Sequence, residues 1–169
     1  MPNKSQILSL GIATLALSTL ISGISGVYQL AKWSGSQTNE ILTENSKKYA
    51  LEDMATHDYV QNHIHDKFEV YQQEFKNEKI SLGRLQDKTE NLLSNKNIEK
   101  YINKHGSDED KKALEDYDNK IKGYKEESSE HCSNALACFM MTGLSIYGIR
   151  KAGKAMDKEN EKEDSEHTK

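Results

Sequence analysis

Residues 5–31, SQILSLGIATLALSTLISGISGVYQLA, decide how this chain is read. From Ile7 to Ala31 runs a stretch of 25 residues without a charge. As a helix it is about 37 Å long, more than the roughly 30 Å hydrocarbon core of a bilayer. Leu, Ile and Val supply eleven of these residues, each favouring insertion by about 0.3 to 0.6 kcal/mol at mid-membrane. Ser, Thr and Gly offset part of that drive. The stretch ends at Lys32-Trp33, a cation and an amphipathic ring suited to the headgroup level. These features predict a first transmembrane helix over residues 7–31, behind a short N-terminal tail of residues 1–6. A cleaved signal peptide competes with this reading, because Lys4 precedes the run and Ser22, Gly23, Ser25 and Gly26 are small. The length favours a retained anchor, since the apolar part of a signal is only about 7 to 15 residues.

A second uncharged segment, CSNALACFMMTGLSIYGI, occupies residues 132–149. It is just long enough to cross and contains Asn134, so it predicts a weaker second transmembrane helix. Glu126, Glu127 and Glu130 precede it; Arg150, Lys151, Lys154, Lys158 and Lys162 follow. Positive charge is retained on the cytoplasmic side. The expectation is an integral membrane protein with both termini on the cytoplasmic-equivalent side and the central region opposite. In the first span Ser18, Ser22 and Gly26 recur at four-residue spacing, a stripe along which another membrane helix can approach closely. Gly148 and Ala152 repeat the pattern at the edge of the second.

Between the spans, residues 32–131 are dense in Lys, Glu, Asp and Asn. In the whole chain charged residues make up 30% and aromatics only 7%, so the centre suits helices that bury one narrow stripe rather than a large core. After a joint at residues 34–39, a heptad is legible from Met54 through His57, Gln61, Ile64, Phe68, Tyr71, Phe75, Glu78, Leu82, Leu85, Thr89 and Leu92. A 3.5-residue period of this length predicts a coiled-coil seam; Ile64, Phe68, Tyr71, Phe75, Leu82, Leu85 and Leu92 are its expected interaction residues. Gly83 could bend the helix beside it. The chain should loosen near Ser94–Asn97, resume briefly and stop at His105-Gly106. Ser107 then caps a new helix whose first turn carries Asp108, Glu109 and Asp110. Ala113, Leu114, Tyr117, Ile121 and Tyr124 form its packed face.

The fold class expected is therefore all-α: two transmembrane helices flank a long, coiled-coil-like antiparallel helical hairpin with its turn near 95–107. The arms are unequal, so either the long one (40–94) is broken or part of its seam meets another molecule. A charged C-terminal tail, residues 150–169, should extend as a solvated helix and fray.

Sites of chemistry are few. His63 and His65 diverge by about 200° on a helix and cannot share a metal. His63 with Asp66 lacks a third ligand at useful spacing. Cys132 and Cys138 are off-register for pairing within one helix, and Cys132 at a membrane edge could accept an acyl chain. No phosphate loop, nucleophile elbow or dinucleotide fingerprint occurs. The net charge of −4 mixes both signs without a basic block, which argues against nucleic acid as a partner. The sequence thus predicts no enzyme, no cofactor, no metal and no small-molecule substrate. The expected partners are membrane lipid and either a second copy of this chain or another helical protein. The expected role is a scaffold, tether or assembly factor; a small membrane-disrupting or pore-forming protein, of phage lysis factor or toxin type, is the alternative. A secreted coiled-coil protein with a tail anchor is a third reading.

Overall fold

The computed structural model describes residues 4–167, with side chains described for residues 7–158. Met1–Asn3 of the expected N-terminal tail and Thr168–Lys169 of the expected C-terminal tail lie outside the described residues. Among the described residues the protein is all-α, with five helices and no strand. These are α1 (Lys4–Met54), α2 (Asp58–Lys76), α3 (Leu82–Leu92), α4 (Asn95–His105) and α5 (Asp108–His167).

Helices α1 and α5 contain both uncharged segments and extend well beyond them, to 51 and 60 residues respectively. The chain's one proline lies at position 2, so no ring interrupts either ladder. The joint expected at residues 34–39 does not form, and α1 runs straight through it. Gly35 is exposed there and costs only about 1 kcal/mol in a helix interior, while the neighbouring Ser36 is buried and donates to Glu127 at 3.4 Å. The C-terminal segment remains helical through His167.

The chain divides into two compact units: the chain through Gln37 with the chain from Glu126 onward, and Thr38–Lys125. In the first unit α1 and α5 form an antiparallel pair. Ser18 meets Ser145, Ser22 meets Thr142, Gly26 meets Phe139 and Gln29 meets His131, so numbers rise along one helix as they fall along the other.

The second unit is a small helical bundle made from the end of α1, α2, α3, α4 and the start of α5. Leu51, Met54, Val60, Ile98, Ile102 and Leu114 form its core, with Ala50, Ala55, Tyr59, Ile64, Tyr101 and Ala113 packed around them. Ile102, Leu114 and Val60 are the largest fully buried side chains. The long arm is therefore broken, at residues 55–57, 77–81 and 93–94, and the brief helix expected before His105-Gly106 is α4. Each break has a local cause. Helix α2 ends in a Schellman motif, with Lys79 N donating to Glu74 O at 2.9 Å and Glu78 N to Phe75 O at 3.0 Å. Glu78 occupies the left-handed position at φ 57°, which glycine fills at lower cost. Ser81 then caps α3 by accepting from Arg84 N at 3.4 Å. Gly83 falls in the first turn of α3 and bends nothing. Helix α4 stops at Gly106, where a Cβ would lie 2.6 Å from Ile102 O. Ser107 Oγ caps α5 by accepting from Asp110 N at 3.1 Å.

Candidate functional site

The paired segments of the first unit bury their small and polar residues and expose their large apolar ones. Ser22, Ser36, Ser128, Ala135 and Ser145 are buried. Leu10, Leu20, Ile24, Met140, Leu144 and Tyr147 are all more than 60% exposed. Only 6% of the most apolar window of the first helix is buried, and 11% of that of the second. A soluble core shows the opposite pattern, because removing apolar surface from water is what drives its formation. Both helices are long and apolar enough to cross a membrane.

The three residues of the small stripe face α5. The Ser18 and Ser145 hydroxyls stand 3.4 Å apart and those of Ser22 and Thr142 2.7 Å apart. Ser22 also reaches Ser18 O at 2.8 Å and Thr142 reaches Cys138 O at 2.9 Å. Two hydroxyl protons can thus serve one contact between helices and one back-bond to a helix's own carbonyl. At Gly26 a Cβ would lie 3.0 Å from the Phe139 ring, and at Gly148 3.0 Å from Leu15. Hydrogen cannot be replaced at either position without moving a bulky neighbour. Near one end of this pair Gln29 Oε1 and His131 Nδ1 are 2.8 Å apart.

The seven expected interaction residues of the heptad are divided between two helices. Ile64, Phe68 and Tyr71 are half-buried on α2, and Leu85 and Leu92 half-buried on α3, with Ile64 reaching the bundle core. The two helices pack on one another, and the stripe folds back at residues 77–81. Phe75 and Leu82 flank that turn, 39% and 67% exposed. An ion pair from Lys88 to Glu74 clamps the hairpin, and the Lys88 ammonium sits 4.8 Å from the centre of the Tyr71 ring.

Two polar clusters tie the helices of the second unit together. Asp110 is buried and accepts from Tyr59 Oη at 2.9 Å, with His57 Nδ1 at 3.3 Å. Burial by itself pushes the Asp110 carboxyl up; the hydrogen bonds from Tyr59, Ser107 and His57 outweigh it and hold the group below its ordinary value. Burial and the same carboxylate raise the Tyr59 phenol, which stays a donor at every physiological pH. Lys47 pairs with Glu99 at 2.7 Å and Asp118 at 2.6 Å, joining α1, α4 and α5. Burial opposes its charge, but these two carboxylates prevail and raise the ammonium's pKa.

His63 and His65 point apart: His63 stacks on Tyr101 at 3.8 Å between ring centres, and His65 pairs with Glu69 at 3.3 Å. Among the described residues no three His, Cys, Asp or Glu side chains converge as metal ligands. Cys132 is exposed and Cys138 half-buried, and both are free thiols.

One feature escaped the sequence reading. Beside the stacked His63 and Tyr101, helices α2, α3 and α4 form an open cavity of about 620 Å³ whose lining includes four lysines. Lys67, Lys88, Lys100 and Lys104 are spread across 38 positions and three helices, so they form no basic block in the sequence. The only hints are the four-residue spacings of His63, Lys67 and Tyr71 and of Lys100 and Lys104, which place each set on one helical face.

No protein-family model, curated protein or solved structure matches this chain. Its functional reading therefore rests on geometry and chemistry.

Proposed function

We propose that the protein is a non-enzymatic membrane tether or scaffold: α1 and α5 cross a bilayer as an antiparallel pair and present the bundle of residues 38–125 to an aqueous compartment. The observation that carries this reading is the inverted burial of the first unit. Serine and glycine fill its seam, while leucine, isoleucine and methionine face outward where acyl chains would solvate them. Lipid tails are as apolar as leucine, so helices in a bilayer pair through close backbone approach and hydroxyl contacts rather than through large apolar side chains. An antiparallel pair puts both termini on one side. The Arg150, Lys151, Lys154 and Lys158 cluster favours the cytoplasmic-equivalent face for that side.

The partner in this reading is a second copy of the chain or another helical protein, docking on the α2–α3 hairpin where Phe75 and Leu82 remain exposed. Its test combines alkaline carbonate extraction with cysteine accessibility in intact membranes, after Cys132 and Cys138 are replaced by serine. Reporters at positions 3 and 165 should label from the same side and a reporter at 90 from the other. Extraction of the full chain into the supernatant, or labelling of 3 and 165 from opposite sides, rejects the reading. Rapid dissipation of membrane potential on expression would replace the tether with a pore-forming role.

A further inference from the structure

The cavity beside Tyr101 has a chemistry that the tether reading does not use. Its charged lining is entirely cationic: Lys67 from α2, Lys88 from α3, and Lys100 and Lys104 from α4, with the imidazoles of His63 and His105 among them. No carboxylate lines it, although the chain carries more acidic than basic residues and a net charge of −4. Lys67, Lys100 and Lys104 make no ion pair with any described residue; Lys88 alone has a carboxylate partner, Glu74. Lysines gathered on one face without counter-ions raise the local positive potential, and that potential attracts an anion. His63 carries the same signature. Burial pushes its imidazole down, and the positive charges of Lys67 and His105 push it further, against Asp66.

We propose that this cavity binds a small ligand carrying two or more linked phosphate groups, held by Lys67, Lys100 and Lys104. Ammonium groups on flexible stems approach separate phosphate oxygens as point charges, and three unpaired cations match a diphosphate or triphosphate better than a single sulfate. The volume lies in the range of small-molecule sites. Recognition is through charge rather than base stacking, because each aromatic ring of the lining already has a partner against it. His63 lies on Tyr101, Tyr101 is 4.9 Å from His105, and Lys88 covers Tyr71. Asn97 is likewise committed, donating to Asn91 O at 2.6 Å and Asn91 Oδ1 at 2.8 Å. This inference is independent of whether α1 and α5 cross a bilayer.

The test is calorimetric titration of the full chain in non-ionic detergent with inorganic tripolyphosphate, ATP, sulfate and single-stranded RNA, at about 0.1 M salt. Tripolyphosphate and ATP should bind with similar affinity and one-to-one stoichiometry, and sulfate at least about tenfold more weakly. The triple variant K67A/K100A/K104A should lose about a hundredfold or more in affinity, since each charge-assisted contact is worth about tenfold. A control variant K76A/K79A/K112A removes the same charge from outside the cavity and should bind as the parent does. Lysines this exposed are replaceable without unfolding, which circular dichroism checks. Equal losses in both variants, or sulfate binding as tightly as tripolyphosphate, overturn the site. RNA binding more tightly than either phosphate probe and covering several nucleotides per chain also overturns it, in favour of a nucleic-acid surface. ATP binding far more tightly than tripolyphosphate contradicts recognition by charge alone.

Discussion

The two units of this protein obey opposite burial rules. In the bundle of residues 38–125 the core is leucine, isoleucine, valine and methionine, although Ile41, Leu42, Val70, Leu82 and Leu93 stay exposed, and most charged side chains face outward. In the α1–α5 pair of the other unit the inside is serine, alanine and glycine, and the outside is leucine, isoleucine and methionine. In the proposed membrane reading the same amino-acid preferences produce both patterns because the solvent differs. Water expels apolar surface from the bundle exterior, whereas hydrocarbon leaves close packing and hydroxyl contacts as the forces that pair helices. Burial pattern, rather than hydropathy alone, distinguishes the two.

The contrast is broken most severely at the bundle core. Leu114 is fully buried, and L114A should cost the bundle about 3 kcal/mol through lost transfer energy and the cavity left behind. The equivalent truncation L20A, on a side chain 64% exposed, should change stability in detergent by about 0.5 kcal/mol or less. Chemical denaturation followed by circular dichroism checks both. Similar losses would mean that the two units share one solvent.

The seam of the pair is next. G26L forces a branched side chain against the Phe139 ring, already 3.0 Å from the position of a Cβ. Overpacking of this kind costs about 1 to 3 kcal/mol, so disulfide formation between cysteines placed at 22 and 142 should slow in G26L. Substitution of the outward-facing Ile24 by leucine should leave the rate unchanged.

Acid should weaken the bundle through Asp110. The Asp110 carboxyl is held below its ordinary value of 3.8. A lowered folded-state pKa means that its stabilisation is fully present above the unfolded-state value and is lost as pH falls through the folded one. Below pH 3.8 the bundle should lose stability with each further drop, and D110N, without this titration, should show a shallower acid slope. The smallest effect is expected at Glu78. Its left-handed φ of 57° makes E78G stabilising by about 0.5 kcal/mol, the relief of strain exceeding the added entropy of the unfolded chain.

Helix class, both apolar segments and the caps at Ser107 and Gly106 were legible in the sequence, because each depends on local spacing. What was hidden depends on the third dimension. The heptad from Met54 to Leu92 left a broken arm and a seam with another molecule both open, since a period does not say whether its stripe meets another chain or folds onto itself. The deciding signals, Asn77-Glu78 before the capping Ser81, are polar turn residues embedded in the same periodic run. The joint at 34–39 failed for the converse reason: serine and glycine mark a break in water but pack well against a helix neighbour, as Ser36 does. The cationic cavity was invisible because its lysines are assembled by the three-helix fold.

The most direct measurement is nitroxide accessibility in protein reconstituted into liposomes, with single labels at Leu20 and Leu144 on the outward face, Ser22 and Ser145 in the seam, and Glu90 on the bundle. Leu20 and Leu144 should relax strongly with oxygen and weakly with an aqueous nickel chelate, Glu90 the reverse, and the two serines weakly with both. Nickel accessibility at Leu20 and Leu144 equal to that at Glu90 would place the outward faces in water and contradict the membrane reading.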